Sequence, residues 1–154
     1  MGQSGRMWGM SMMMGEYHHN IDDKGRLIIP SKFRISLGEK FVITRGMEKC
    51  LFVYSMDEWN NLMNELNKLS FTKKNARTFM RMLLSGATEC ELDKSGRVNL
   101  PSVLTNYASI DKECVIIGVN ERLEIWSESE FNNFFNENID EFSDIAEGLF
   151  DNAC

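Results

Sequence analysis

Apolar and polar positions in this 154-residue chain alternate over short stretches, then switch to a helical period, and do so twice in the same order. Residues 16–21 predict a short strand, followed by a tight turn at Asp22-Asp23-Lys24-Gly25. There an Asp side chain can hydrogen-bond the backbone two residues on, and Gly accepts positive φ. Residues 26–29, mostly β-branched and apolar, predict a strand closed by Pro30. Phe33 and Leu37, four apart, make 31–37 a short helical segment. Residues 41–44 and 51–54 read as the strands of a hairpin around 45–49. Ser55 and Glu58 then form a capping box, opening a helix whose Trp59, Leu62, Met63, Leu66 and Leu69 lie on one stripe. A second helix over 74–84 stops at Gly86.

The second half runs through the same scheme. Strand 87–92, turn 93–96, strand 97–100, Pro101 and a short helical turn lead to hairpin strands at 114–118 and 123–126. A second capping box, Ser127 to Glu130, opens a helix bearing Phe131, Phe134, Phe135 and Ile139. The residues repeat as well as the pattern. IDDKGRLIIPSKF (21–33) returns as LDKSGRVNLPSVL (92–104), 71 positions on, with Asp22, Gly25, Arg26, Pro30 and Ser31 answered by Asp93, Gly96, Arg97, Pro101 and Ser102. Both prolines of the chain occupy the same place in this unit. Two copies about 70 residues apart indicate an internal pseudo-dimer rather than a solenoid. No linker separates the halves, so one α+β domain with a shared core is expected, its halves at 14–86 and 87–154. Residues 1–13 read as a tag or ragged start and are left out of fold reasoning.

Charge changes the picture only through its distribution. The net −6 argues at first sight against nucleic acid. Yet residues 1–120 hold 16 Lys/Arg against 13 Asp/Glu, while 121–154 hold one Arg against 10 acids. Local charge is what a polyanion feels. Lys24, Arg26, Lys32 and Arg34 fall inside eleven residues, and the second repeat keeps Lys94 and Arg97. No apolar run approaches the roughly 20 residues of a membrane span, so no membrane partner is expected. Cys50, Cys90, Cys114 and Cys154 show no Cys-x-x-Cys spacing and read as small hydrophobes of a reducing cytoplasm.

Candidate chemistry centres on the doubled D-x-x-G-R. Arg26 and Arg97 follow a glycine turn and should project from a rim, with Asp22 and Asp93 within reach four residues earlier. Two readings fit: an Asp–Arg pair that holds the loop, or arginines offered to phosphate or base. The extra cations Lys24, Lys32 and Arg34, which a turn does not need, favour the second. Lys73, Lys74, Arg77 and Arg81 make a basic helical face, either solvated or near a polyanion. Adjacent His18 and His19 point to opposite faces of a strand, which disfavours a shared metal. The acids lack EF-hand spacing and a paired base, and the Ser and Cys residues lack a nucleophile elbow. No catalytic residue, metal or cofactor is expected.

DDKGRLIIPSKFR followed by a hairpin and a helix, with DKSGRVNLP in the second half, closely resembles the MraZ family of bacterial proteins from residue 14 to about 149. Each half is also similar to a swapped-hairpin unit of the AbrB/MazE type. The resemblance implies a double-split β-barrel of two such repeats with peripheral helices. It further implies assembly of copies into a ring and transcriptional control of the division and cell-wall gene cluster through double-stranded promoter DNA carrying direct repeats. A cytoplasmic, nucleoid-associated location follows. In that family the Asp and Arg of both repeats are the signature and the arginines touch DNA. The expected DNA-binding set is therefore Arg26, Arg97, Lys24, Lys32, Arg34 and Lys94, with Asp22, Gly25, Asp93 and Gly96 fixing the turns. The alternative is an antitoxin-like protein-binding module whose acidic C-terminal segment docks a partner. A hydrolase using Asp22 and Asp93 has almost no support in the sequence.

Overall fold

Strand pairing weaves the two halves together. The computed structural model describes residues 12–151. The first half contributes β1 (Met13–Asn20), β2 (Arg26–Ile28), β3 (Lys40–Arg45) and β4 (Cys50–Ser55). The second contributes β5 (Thr88–Glu91), β6 (Arg97–Asn99), β7 (Glu113–Asn120) and β8 (Arg122–Ser127). Six strands form one antiparallel sheet in the order β1-β7-β8-β4-β3-β5, and β2 pairs with β6 as a separate two-stranded ribbon. Each half thus lends its first strand to the other's hairpin: β1 lies along β7, and β5 along β3. The order reads the same when the halves are exchanged, which defines a pseudo-twofold axis. In the ribbon, Leu27 opposes its own repeat counterpart Val98; in the sheet, Phe52 opposes its counterpart Glu124.

The helices are α1 (Ser31–Leu37), α2 (Met56–Leu66), α3 (Lys74–Ser85), α4 (Ser102–Tyr107), α5 (Glu128–Asn138) and α6 (Phe142–Asp151), with a 3-10 turn at Ile139–Glu141 joining the last two. The main core lies between ribbon and sheet. Leu27, Ile29, Val98 and Leu100 from the ribbon side meet Phe41, Ile43, Leu51, Val53, Ile116, Leu123 and Ile125 of the sheet, with Phe33, Leu37 and Leu104 from α1 and α4. Each such buried side chain contributes about 1.5–3 kcal/mol of transfer free energy. The period of two puts Cys50, Phe52, Tyr54, Val115 and Trp126 on the opposite face, where Phe131 of α5 and Trp59 of α2 cover them. Both helices start as their sequence predicts: Ser55 Oγ accepts from Glu58 N at 3.2 Å, and Ser127 Oγ from Glu130 N at 3.0 Å.

The structure departs from expectation in three places. β1 begins at Met13, whose side chain is buried in the main core, so the ordered fold reaches into the segment set aside as a ragged start; residues 1–11 lie outside the described residues. Helix α2 ends at Leu66. The amides of Asn67, Lys68 and Leu69 turn back to Met63, Glu65 and Leu66, and Leu69 leaves the stripe for solvent. Helix α3 does stop at Gly86, as expected, with that residue at φ −92°. A Cβ there would come within 3.0 Å of Arg45, whose Nη1 donates to Met82 O and Ser85 Oγ at the end of α3. Finally, α6 was not anticipated, because Asp144, Glu147 and Asp151 read as charged tail. Phe142, Ile145 and Leu149 nevertheless recur at helical spacing. Among the described residues, no helix is long and apolar enough to cross a membrane.

Candidate functional site

Both D-x-x-G-R segments fold into the same turn for the same reason. Asp22 Oδ1 accepts from the backbone N–H groups of Lys24 and Arg26, each at 2.9 Å, and Oδ2 accepts from Arg26 Nε at 2.8 Å. In the second repeat, Asp93 Oδ1 accepts from the amides of Ser95 and Arg97, each at 2.9 Å, and Oδ2 from Arg97 Nε at 2.9 Å. Only a short carboxylate can reach amides two and four residues on while gripping the arginine with its second oxygen. Gly25 and Gly96 take φ of 81° and 79°, the left-handed region that the turn requires. Both carboxyls are held below the usual carboxylate value, first by the amide of the following arginine.

Ribbon pairing then sets the two arginines on one surface. Leu27 and Val98 point into the core, so Arg26 and Ile28 of β2 and Arg97 and Asn99 of β6 face outward. Each arginine is gripped through Nε, which orients the guanidinium. Arg97 Nη1 also lies 3.8 Å from Asp22 Oδ2, linking the two turns across the ribbon. Lys24 and Lys94 in the turns and Lys32 at the start of α1 are exposed, without ion-pair partners among the described residues.

Arg34 behaves differently from the other cations. Its Nε donates to Ile29 O at 2.9 Å, and its guanidinium lies over the second turn, where a Cβ on Gly96 would fall 2.2 Å from Arg34 Cζ. It braces α1 against the other repeat. The counterpart position is Thr105, and the matching place beside the first turn is an open groove of about 460 Å³ lined by Asp22, Lys24, Gly25, Leu100, Ser102 and Thr105. The halves therefore differ both in charge and in how each turn is backed.

Sequence reasoning missed two polar links. On the outer face of the sheet, buried Glu124 accepts from Arg122 Nε and Nη2 at 3.0 and 2.7 Å and from Trp126 Nε1 at 3.0 Å, while Arg122 stacks 4.3 Å from the Phe52 ring centre. The period-two spacing Arg122-x-Glu124-x-Trp126 was the available signal. His18 sits 2.8 Å from Glu16 and 3.1 Å from Glu128, tying β1 to α5 of the other half; its pKa is raised, first by the Glu16 hydrogen bond and then by Glu128. Cys50 and Cys114 are buried free thiols and Cys90 is half-buried. Burial pushes Cys50 up to about 12 and the other two to about 11. Cys154 lies outside the described residues.

Compared with known families, the chain matches the one described as "MraZ protein, putative antitoxin-like" twice, over residues 12–82 and again over 83–153.

Proposed function

The chain belongs to the MraZ family, and from that premise we propose that it is a sequence-specific DNA-binding regulator of transcription acting on the division and cell-wall gene cluster. The observation that carries this reading is the outward pair Arg26 and Arg97, brought onto one ribbon face and held by Asp22 and Asp93. Two-stranded β-ribbons fit DNA grooves, and an oriented guanidinium suits the paired acceptors of a guanine edge or a phosphate. Lys24, Lys94 and Lys32 flank the ribbon as phosphate contacts, which position without reading sequence. Arg34 belongs to this set through the turn it braces, because its Nε is engaged by Ile29 O.

The interleaved strands and pseudo-twofold axis support reading the halves as two AbrB-like swapped-hairpin repeats of a double-split barrel. Copies assemble as a ring that engages tandem promoter repeats, since linked weak contacts raise effective concentration. The role is binding rather than catalysis, in the cytoplasm at the nucleoid.

A second reading, an antitoxin-like module that binds a partner protein, is favoured by the exposed apolar and acidic helices α5 and α6. The test is a titration of the protein's own-operon promoter DNA against wild type and the Arg26→Ala/Arg97→Ala variant at two salt concentrations. Tight, salt-sensitive binding lost in the variant supports the regulator. Binding that ignores both arginines overturns the assignment of the ribbon.

A further inference from the structure

We propose that the open groove beside the first turn binds a small alkylguanidinium cation, seated there as the Arg34 side chain is seated beside the second turn. The fold holds two versions of one site, one filled from within the chain and one open.

The backbone frame of the two sites is the same. Leu100 N donates to Gly25 O at 2.8 Å, and Ile29 N donates to Gly96 O at 3.0 Å. Each turn glycine is thus tied to the residue before the other repeat's proline. Phe33 N then donates to Pro30 O at 2.9 Å and Leu104 N to Pro101 O at 3.0 Å, so α1 and α4 leave the two sites in the same way.

The occupants differ. At the second turn, Arg34 Nε donates to Ile29 O at 2.9 Å, and the guanidinium fills the space over Gly96. Exchanging the halves carries Ile29 to Leu100 and Arg34 to Thr105, 71 positions on. Thr105 ends in a hydroxyl that turns back to donate to Ser102 O at 3.1 Å. Leu100 O therefore meets no donor among the described residues, although it lies 3.2 Å from where a Cβ on Gly25 would stand. The place that the guanidinium takes in one repeat is, in the other, part of the groove of about 460 Å³. That volume falls within the roughly 300–1,000 Å³ of small-ligand sites.

Charge selects a cation. Asp22, Asp23 and Asp111 line the groove, against Lys24. Asp22 is engaged by Arg26, but Asp23 and Asp111 are exposed and face no cation within ion-pair distance among the described residues. The second repeat has Lys94 where the first has Asp23, so the sign reverses at the site that already holds its own arginine. A guanidinium offers N–H donors in a planar fork, which can meet a carbonyl and a carboxylate together; an ammonium is a compact, strongly hydrated point charge. Once seated, the ligand braces the turn that mounts Arg26, as Arg34 braces the turn that mounts Arg97.

The experiment is ligand-observed saturation-transfer NMR on the full-length protein without DNA. The probe is n-propylguanidinium, the side chain of arginine, with n-butylammonium, the side chain of lysine, as its control. Wild type should give a saturable signal with the guanidinium and severalfold weaker binding of the ammonium. Two variants install in the first site what the second already holds: Thr105→Arg fills the groove, and Asp23→Lys reverses its charge. The counterpart positions carry these residues in the same backbone frame, and a melting curve checks that each variant is folded. Thr105→Arg should abolish the saturable signal, and Asp23→Lys should weaken it severalfold. No saturable signal in wild type, equal binding by wild type and either variant, or an ammonium that binds as well as the guanidinium each overturns the proposal. Because no DNA enters the measurement, failure of the promoter reading leaves this result standing, and the reverse also holds.

Discussion

Arg97 Nη1 and Asp22 Oδ2 lie 3.8 Å apart, so the arginine of the second repeat reaches the carboxylate that shapes the first turn. The two signature turns are thus one electrostatic unit, built from segments 71 positions apart in sequence.

Removing the arginines should separate affinity from stability. Their ion pairs sit at a solvent-screened rim, and such pairs add little to stability. A base or phosphate contact contributes about 1–3 kcal/mol. Arg26→Ala is expected to weaken promoter binding roughly 5- to 150-fold with a small change in melting temperature. Arg97→Ala should cost less, since the first repeat holds more cations. Calorimetric melting beside the binding titration checks this; a large fall in melting temperature with unchanged affinity would assign the arginines to the loop alone.

The glycines predict an asymmetry. Both Gly25→Ala and Gly96→Ala incur the left-handed cost of about 1–2 kcal/mol. Only at Gly96 does the new methyl collide with Arg34, the brace from the other repeat. Arg34→Ala should therefore relieve part of the Gly96→Ala cost and none of the Gly25→Ala cost. A denaturant double-mutant cycle measures the coupling; equal additivity at both glycines would remove Arg34 as a brace.

Two pH signatures of opposite sign follow from the shifted groups. Asp22 and Asp93 titrate below 3.8 in the fold, so their contribution is present above 3.8 and lost as pH falls through the lowered folded values. His18 titrates above 6.5 in the fold, so its contribution is complete below 6.5 and fades as pH rises through the raised value. The melting-temperature difference between wild type and Asp22→Asn should shrink on the acid side. That for His18→Gln should shrink on the alkaline side. Parallel pH profiles for wild type and either variant would contradict the corresponding contact.

Glu124 tests the outer face of the sheet. Glu124→Ala removes the acceptor of the Trp126 indole N–H and the closer of two carboxylates at Arg122, which keeps Glu121 at 3.4 Å, a loss of about 1–3 kcal/mol. Urea unfolding should show it with promoter affinity per folded molecule retained. A cost below about 1 kcal/mol would mean that Arg122 finds solvent instead.

Local chemistry was legible in the sequence where one residue answers another nearby. The Asp–Gly–Arg turns, both serine caps and the α1 segment 31–37 follow from contacts within five residues. Partners set by the pseudo-twofold were not legible. Nothing near Arg34 announces that it will cover Gly96, and the period-two trio ending at Trp126 looked like ordinary strand alternation. Leu69 fitted a helical stripe, but the chain tightened into i−3 bonds before reaching it. Helix α6 was obscured because the acids of the whole C-terminal segment draw the eye, while Phe142, Ile145 and Leu149, three and four apart, form the face.

The exchange of first strands has a consequence for synthesis. β1 leaves the ribosome early but pairs only along β7, and even the nearest partners, Asn20 and Glu113, stand 93 positions apart. At about 5–20 residues per second, β1 waits roughly 5 to 20 s with its ladder unmade. The nascent first half therefore cannot complete its sheet alone. Its polar Glu16, His18 and His19 guard that waiting edge against the wrong chain.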